Sequence, residues 1–326
     1  MNGRRALKQW LWHASPGLYR RTQGRARQEF AIGMVAGNSP FSLKPAASVV
    51  NPVLSREHVT DVPATLVADP FMCQHRDRWY LFFEVVNHLT RKGEIGLAVS
   101  NDALHWKYRQ IVLAEPFHLS YPYVFEWRGE HFMIPESARG GTVSLYRAAD
   151  FPERWVRVAT LLEGNRYADS SIFHYHEHWW LFTDAGTNAH CPILRLYYAR
   201  EPFGPWREHP SSPILNGNPH VARPGGRVIV IDDTPVRFAQ DVYPIYGSRV
   251  HAFLITRLTP SDYEERPATD EAVLSAGREP WNCDGMHHID AHQRADASWI
   301  ACVDGFRAYG AAAERPVTSL PPERSA

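Results

Sequence analysis

The sequence predicts an all-β fold, a five-bladed β-propeller with a short basic N-terminal extension. Three observations carry that prediction. Strand-like aromatic runs bounded by turn residues recur along the 326 residues. Their period lies near about 50 residues, which is the spacing of propeller blades. Trp106, Trp155 and Trp206 close three successive units and stand 49 and 51 residues apart. A composition with 44% hydrophobic and 12% aromatic residues excludes a disordered chain, and its poverty in helix formers excludes a coiled coil.

The blades follow in order. Residues 69–85 read DPFMCQHRDRWYLFFEV, two strands around the turn His75-Arg76-Asp77-Arg78, and residues 93–100 add a third strand. Residues 121–137 repeat the plan around Arg128-Gly129-Glu130, followed by 142–147. Residues 169–185 repeat it around His176-Glu177-His178, followed by 194–200. Each second strand ends in a carboxylate: Glu84, Glu136 or Asp184. Weaker copies follow. Residues 222–238 give two strands around Asp232-Asp233-Thr234-Pro235, and 249–258 give the next. Residues 285–290 and 298–304 read as inner strands of a fifth blade. Residues 30–43 are expected to supply an outer strand of that blade, which joins the chain ends and removes an exposed edge. Helical periodicity is weak except near residues 6–18 and 269–276. The expected organisation is a basic extension over 1–28, the propeller over 29–310 and a fraying Pro-, Ser- and Arg-rich tail over 311–326.

Net charge is zero, with an asymmetry inside it. Arg4, Arg5, Lys8, Arg20, Arg21, Arg25 and Arg27 fall in residues 1–28 without an acid, leaving 28 basic against 35 acidic residues elsewhere. The acidic body gives no reason to expect nucleic acid as a partner. The basic start is expected to touch an anionic membrane surface, with Trp10 and Trp12 at the interface. Its apolar knot, Trp10-Leu11-Trp12, is too short for a secretory signal, so a cytoplasmic location is expected. Cys73, Cys191, Cys283 and Cys302 share no C-x-x-C spacing and are expected as free thiols.

In a propeller, the starts of the innermost strands converge on the axis from positions about 50 residues apart. Asp69, Tyr121 and Tyr123, Asp169, Arg223, and Asp284 with His287 and His288 occupy such starts. Glu136 ends the apolar run Ile134-Pro135, so its carboxylate must be paired, hydrated or functional. Glu84 and Asp184 share its repeat position, so a structural role for Glu136 is the alternative. Asp69, Glu136 and Asp169 are the candidate catalytic residues. Tyr121, Tyr123, Arg223, Asp241, His287 and His288 are the candidate substrate-binding residues. Carboxylates, aromatic faces and one Arg around a funnel suit a polar sugar-like ligand. Adjacent strand residues point to opposite faces, so one of His287 and His288 is expected to line the channel and the other to pack between blades. No cofactor is called for. No metal is assigned either, because His174, His176 and His178 lack a fourth ligand. Motifs for P-loop, Rossmann, α/β-hydrolase and zincin chemistry are absent.

Several stretches carry a resemblance. Ala68-Asp69-Pro70-Phe71, the aromatic strand from Trp79 to Glu84, and Gly93-Glu94-Ile95-Gly96 with Trp106 resemble the five-bladed propellers of family 43 and family 32 glycoside hydrolases. His118-Leu119-Ser120-Tyr121-Pro122-Tyr123, Met133-Ile134-Pro135-Glu136-Ser137, Ala222-Arg223-Pro224 and Gly285-Met286-His287-His288 are more specific. They resemble the N-terminal propeller domain of glucosamine inositolphosphorylceramide transferases and its bacterial relatives, over roughly residues 30–310. The resemblance implies a carbohydrate or glycoconjugate substrate. The hydrolases use an Asp at the start of blade one as base or nucleophile, a Glu as acid and a third carboxylate that tunes. Asp69 matches the first. Glu136 falls in blade two and Asp169 in blade three, the reverse of the hydrolase order. Two functions follow: an enzyme that hydrolyses or transfers at a glycosidic bond, or a non-catalytic sugar-binding propeller of a glycan-assembly pathway.

Overall fold

The structure, a computed structural model, describes residues 3–17, 19, 28–188 and 190–309. It is almost entirely β, with five blades in a ring and about 5% helix. Blade one is an antiparallel meander of Ala64–His75, Arg78–Asn87, Lys92–Ser100 and Lys107–Leu113. Blade two runs Ser120–Trp127, Glu130–Glu136, Thr142–Asp150 and Arg154–Glu163. Blade three runs Ala168–Tyr175, His178–Asp184, Ile193–Ala199 and the short Arg207–Glu208. The repeats read from sequence are therefore these three meanders, and the polar turns are their hairpins.

Apolar residues from neighbouring blades interdigitate and form the ring. One cluster joins blades one to three, with Phe82, Met133 and Leu181 at its centre. Others join three to four through Phe182 and Ile255, four to five through Phe238 and Val303, and five to one through Met34 and Leu81. The periodic tryptophans belong to these seams. Trp155 meets Phe82 of the preceding blade edge-on, with ring centroids 5.4 Å apart. Trp106 packs on the cluster shared by blades five and one, and Trp206 on the one shared by blades one to three. A large flat side chain at the end of each of the first three blades is thus a spacer against its neighbour.

The last two blades are less regular, which explains their weaker sequence signal. Blade four has its inner strand broken into Arg223–Pro224 and Ile229–Ile231, beside Thr234–Asp241, Arg249–Leu258 and Tyr263–Pro267. Between the two pieces Gly226 makes a parallel bridge to Ile289 of blade five. Its φ of 142° and a carbonyl 1.7 Å from where a Cβ would sit leave room for glycine alone. Blade five consists of Ile289–Gln293, Trp299–Ala308, Gln28–Gly37 and Lys44–Pro45. Gln28–Gly37 pairs with Trp299–Ala308 over ten residues, so the start of the chain closes the ring.

Two expectations are corrected. Residues 269–276 form no helix; Leu274–Ser275 instead pairs with Arg249 and Val250 at the edge of blade four. The N-terminal helix is real, spanning Gly3–Ala14, but its tryptophans part company. Trp10 is 63% exposed, whereas Trp12 is buried and meets Tyr19, which in turn meets His88 at the end of blade one. Trp12 is therefore not available to a membrane interface. Arg20, Arg21, Arg25, Arg27 and the tail 311–326 lie outside the described residues. Cys73, Cys191, Cys283 and Cys302 are all free thiols.

Candidate functional site

The site is built by one backbone device used three times. Asp69, Tyr121 and Asp169 hold equivalent positions on the inner strands of blades one, two and three. Their φ angles are 52°, 45° and 48°, in the left-handed region that non-glycine residues avoid. At each, the register with the second strand breaks, between Ala68 and Phe71, Ser120 and Tyr123, and Ala168 and Ser171. Such bulges re-aim a side chain, and the strain of about 1–3 kcal/mol per residue is retained where the surroundings over-determine it.

The two aspartates thereby line a pocket of about 220 Å³ with Glu136, Arg223, His287, Glu84, His118 and Tyr246. Of the sequence candidates, Asp69, Glu136, Asp169, Arg223 and His287 come together there. Glu136 reaches it as the cross-strand partner of Ser120, and Glu84 as the equivalent partner of Ala68. Asp184 has the same repeat position but turns to cap its own hairpin, accepting from the backbone N–H of Gly186 and of Ile193.

The pocket holds two coupled charge networks. In the first, the buried Arg223 guanidinium donates from Nε to Asp169 Oδ2 at 2.5 Å and places Nη2 3.8 Å from Glu136 Oε2. Gln240 also donates to Asp169, at 2.9 Å. Burial alone would raise the Asp169 pKa, but Arg223 and a hydrogen bond from Glu136 hold it below the ordinary value. Glu136 is pushed the other way. Burial and the neighbouring Asp169 charge raise its pKa well above the ordinary glutamate range, so it keeps a proton that it shares with Asp169. Tyr246 lays its ring 5.2 Å from the Arg223 guanidinium carbon and its edge toward His287.

In the second network His287 Nδ1 bonds Asp304 at 2.6 Å while Nε2 lies 3.5 Å from Asp69 Oδ1. Burial disfavours the imidazolium, but Asp304 and Asp69 outweigh it and raise the His287 pKa to about 9. Asp304 also accepts from the Asp69 backbone N–H at 2.9 Å, fixing the strained turn. Burial pushes Asp69 well above the usual carboxylate range, with His287 opposing. Asp69, His287 and Asp304 offer donor atoms within 4.8 Å of one another. A metal ion there would have to displace the proton that the two carboxylates hold on the imidazole.

On the third wall, His118 Nε2 lies 3.0 Å from Glu84 Oε1, and the Gly93 N–H donates to His118 Nδ1 at 2.8 Å. Glu84 favours an imidazolium; the N–H at Nδ1 opposes it, since a protonated Nδ1 would face another donor. Gly93 is required by this approach, because a Cβ would stand 2.1 Å from the Leu119 carbonyl and 2.7 Å from Glu84 Oε1.

Four candidates do not join the pocket. Tyr121 is fully buried and pins the axis: its hydroxyl bonds Ser171 Oγ at 2.8 Å and the Gly226 carbonyl at 2.9 Å. Tyr123 lies deeper, under Arg227 at 4.7 Å, where Arg227 pairs with Asp290 at 2.5 Å and closes the axis. His288 packs against Phe71 and Tyr121, and burial lowers its pKa to about 4, leaving it neutral. Asp241 accepts from the Tyr243 N–H and pairs with His220, fixing the loop that carries Tyr246. His287 and His288 lie just before the strand Ile289–Gln293 rather than on it, yet only His287 lines the pocket. Glu84, His118, Tyr246 and Asp304 were not anticipated. For Glu84 the signal existed, namely its repeat equivalence to Glu136. For Asp304 and Tyr246 no sequence signal distinguishes them from other strand and loop residues.

The fold and this axial pocket define a five-bladed propeller with a carboxylate- and arginine-lined mouth. The chain belongs to the family described as glucosamine inositolphosphorylceramide transferase 1, N-terminal, whose model matches residues 23–306. It is 37% identical over 303 residues to glucosamine inositolphosphorylceramide transferase 1 of Oryza sativa subsp. japonica, covering 85% of this chain. The protein of the same name from Arabidopsis thaliana is 36% identical over 299 residues. This chain spans about 40% of the length of the rice protein and 39% of the Arabidopsis one. Among solved structures it resembles an alpha-L-arabinanase of Cellvibrio cellulosa complexed with arabinohexaose. The TM-score is 0.53 at 13% identity, covering 75% of this chain and 93% of that one. A family 32 beta-fructofuranosidase of Bombyx mori gives a TM-score of 0.55 at 11% identity, covering 72% of this chain and 54% of that one. These two likenesses are of fold.

Proposed function

We propose that this propeller is carbohydrate-active and works at a glycosidic bond, by hydrolysis or by transfer, on a polysaccharide or glycolipid. The observation that carries this reading is the convergence of Asp69, Glu136 and Asp169 in one pocket, where burial and Asp169 raise the pKa of Glu136 while Arg223 lowers that of Asp169. Two carboxyl groups whose surroundings drive their pKa values apart are what acid–base chemistry at a glycosidic oxygen requires. Glu136 would donate a proton to the leaving oxygen. Asp69, made more basic by burial, would activate the acceptor or attack the anomeric carbon. Asp169 tunes Glu136, and Arg223 and Tyr246 hold the sugar. The pocket volume suits about one sugar ring at the reacting end. The curated relatives bear the name glucosamine inositolphosphorylceramide transferase 1, which supports a glycoconjugate substrate.

A panel of glycosides, glycolipids and sugar donors tests the reading. Asp69→Asn and Glu136→Gln are near-isosteric and should each abolish most turnover while sugar binding persists. Full turnover in both variants would sink the catalytic assignment and leave the second reading, a sugar-binding propeller.

The basic extension is proposed to contact an anionic, cytoplasm-facing membrane surface, with Trp10 alone as the interfacial aromatic. Each basic residue near such a surface contributes about 1 kcal/mol. In vesicle co-sedimentation, binding should require phosphatidylserine and fall with salt. Equal recovery on neutral vesicles would remove this role.

A further inference from the structure

We propose that His75, Glu126 and His131 form a binding site for a divalent transition ion of the zinc class, bridging blades one and two at the end of the ring away from the pocket. His75 closes the inner strand of blade one, six residues and about 20 Å beyond Asp69. Glu126 and His131 are direct register partners flanking the blade-two hairpin, so their side chains leave the same face. The ring of His75 meets that of His131 edge-on, with centroids 4.8 Å apart. One imidazole nitrogen from each histidine and one carboxylate oxygen of Glu126 all lie within 4.8 Å of one another. His131 Nε2 stands 3.7 Å from Glu126 Oε2, near the about 3.3 Å edge of a tetrahedron with bonds of 2.0–2.1 Å.

A second, independent observation points into this cluster. His131 is 5% exposed, and its Nε2 is buried without a hydrogen-bond partner. Buried ring nitrogens are ordinarily satisfied, so an orphan aimed at two further donors marks a place for a cation. An ion pair with Glu126 does not account for it. At 3.7 Å the contact is too long for a hydrogen bond. Phe151 stacks on the His131 ring at 3.8 Å and meets His75 at 5.3 Å, so both rings are held in place by the same apolar wall. Two imidazoles and one carboxylate select zinc-class ions over calcium, which takes oxygen donors only. Glu126 is exposed, leaving a fourth position for water. The ion would clamp two neighbouring blades and takes no part in the reaction proposed above.

The test is calorimetric titration of the full chain with Zn²⁺, beside thermal unfolding with and without the ion. Zn²⁺ should bind saturably at one ion per chain and raise the melting temperature; Ca²⁺ should do neither. Glu126→Gln alters an exposed side chain and should leave metal-free melting unchanged, whereas His75→Ala also removes ring contacts to His131 and Phe151, so its Zn²⁺ response is read against its own metal-free melt. Each should weaken Zn²⁺ binding about 100-fold or more, since even second-shell losses cost 10–100-fold. His176→Ala, on a different exposed turn, should bind as the parent does. Absence of saturable binding, or binding that survives unchanged in the His75→Ala and Glu126→Gln variants, overturns the site.

Discussion

Removal of residues 1–44 should unfold the whole ring rather than trim its edge. Gln28–Gly37 is the third strand of blade five, and Ile32 and Met34 on it are fully buried between blades five and one. Phe30 packs on Phe306 and on His287, so the same strand supports the pocket wall. Burying an apolar side chain of this size contributes about 1.5–3 kcal/mol. Losing Phe30, Ile32, Met34 and Val35 therefore removes about 6–12 kcal/mol by the same measure, comparable with the whole stability of an ordinary domain, about 5–15 kcal/mol. Trp299–Ala308 would also become a bare edge strand prone to pairing with another chain. Circular dichroism and calorimetric melting check this. Truncation of residues 1–27, which spares the strand, should lower the melting temperature far less. If the 1–44 truncation melts with the parent, the ring does not depend on this closure.

Sequence reasoning reached the blades because their physics is periodic. The aromatic second strands and the spacer tryptophans recur as one unit, and so do the strand starts carrying Asp69, Tyr121 and Asp169. Blade four was harder to read because Gly225 and Gly226 interrupt its inner strand to let Ile289 approach, which erases the alternation. The same periodicity misled at Tyr121. Equivalence of position brought it to the axis, but its length carries the hydroxyl across to Gly226, so it became a brace instead of a ligand contact. Tyr123 follows the strand alternation into the closed layer beneath, and His288, in the segment before Ile289–Gln293, packs there beside Phe71 and Tyr121. Asp304 was invisible because it acts through His287 and through the Asp69 backbone, and such long-range pairing leaves no local pattern. His75, Glu126 and His131 form a constellation across two blades that no spacing rule contains.

Glu136→Gln should lower kcat by about 10²–10⁴, the usual contribution of general acid–base catalysis, equivalent to about 2.7–5.5 kcal/mol of barrier. The pH profile tells whether the lost proton was the one that mattered. Glu136 must be protonated to act, so turnover falls as pH rises through its pKa. Burial and the Asp169 charge place that limb above the ordinary glutamate range. Asp69 must be ionised, so turnover also falls as pH drops through its own raised pKa, giving a bell. Asp169→Asn separates the two limbs. It removes the negative charge that holds the Glu136 proton and leaves Arg223 without its 2.5 Å partner, and both changes favour ionised Glu136. The alkaline limb should therefore move to lower pH, while the acidic limb moves little. The same change strands a buried guanidinium and should cost about 3–5 kcal/mol of stability. Asp169→Asn combined with Arg223→Met removes both charges and should recover much of that loss, while the alkaline limb moves part of the way back up, because the Arg223 charge that favours ionised Glu136 is gone. An alkaline limb that does not move in Asp169→Asn would mean that the catalytic proton is not carried by Glu136. The roles of acid and base would then have to be sought between Asp69 and His287.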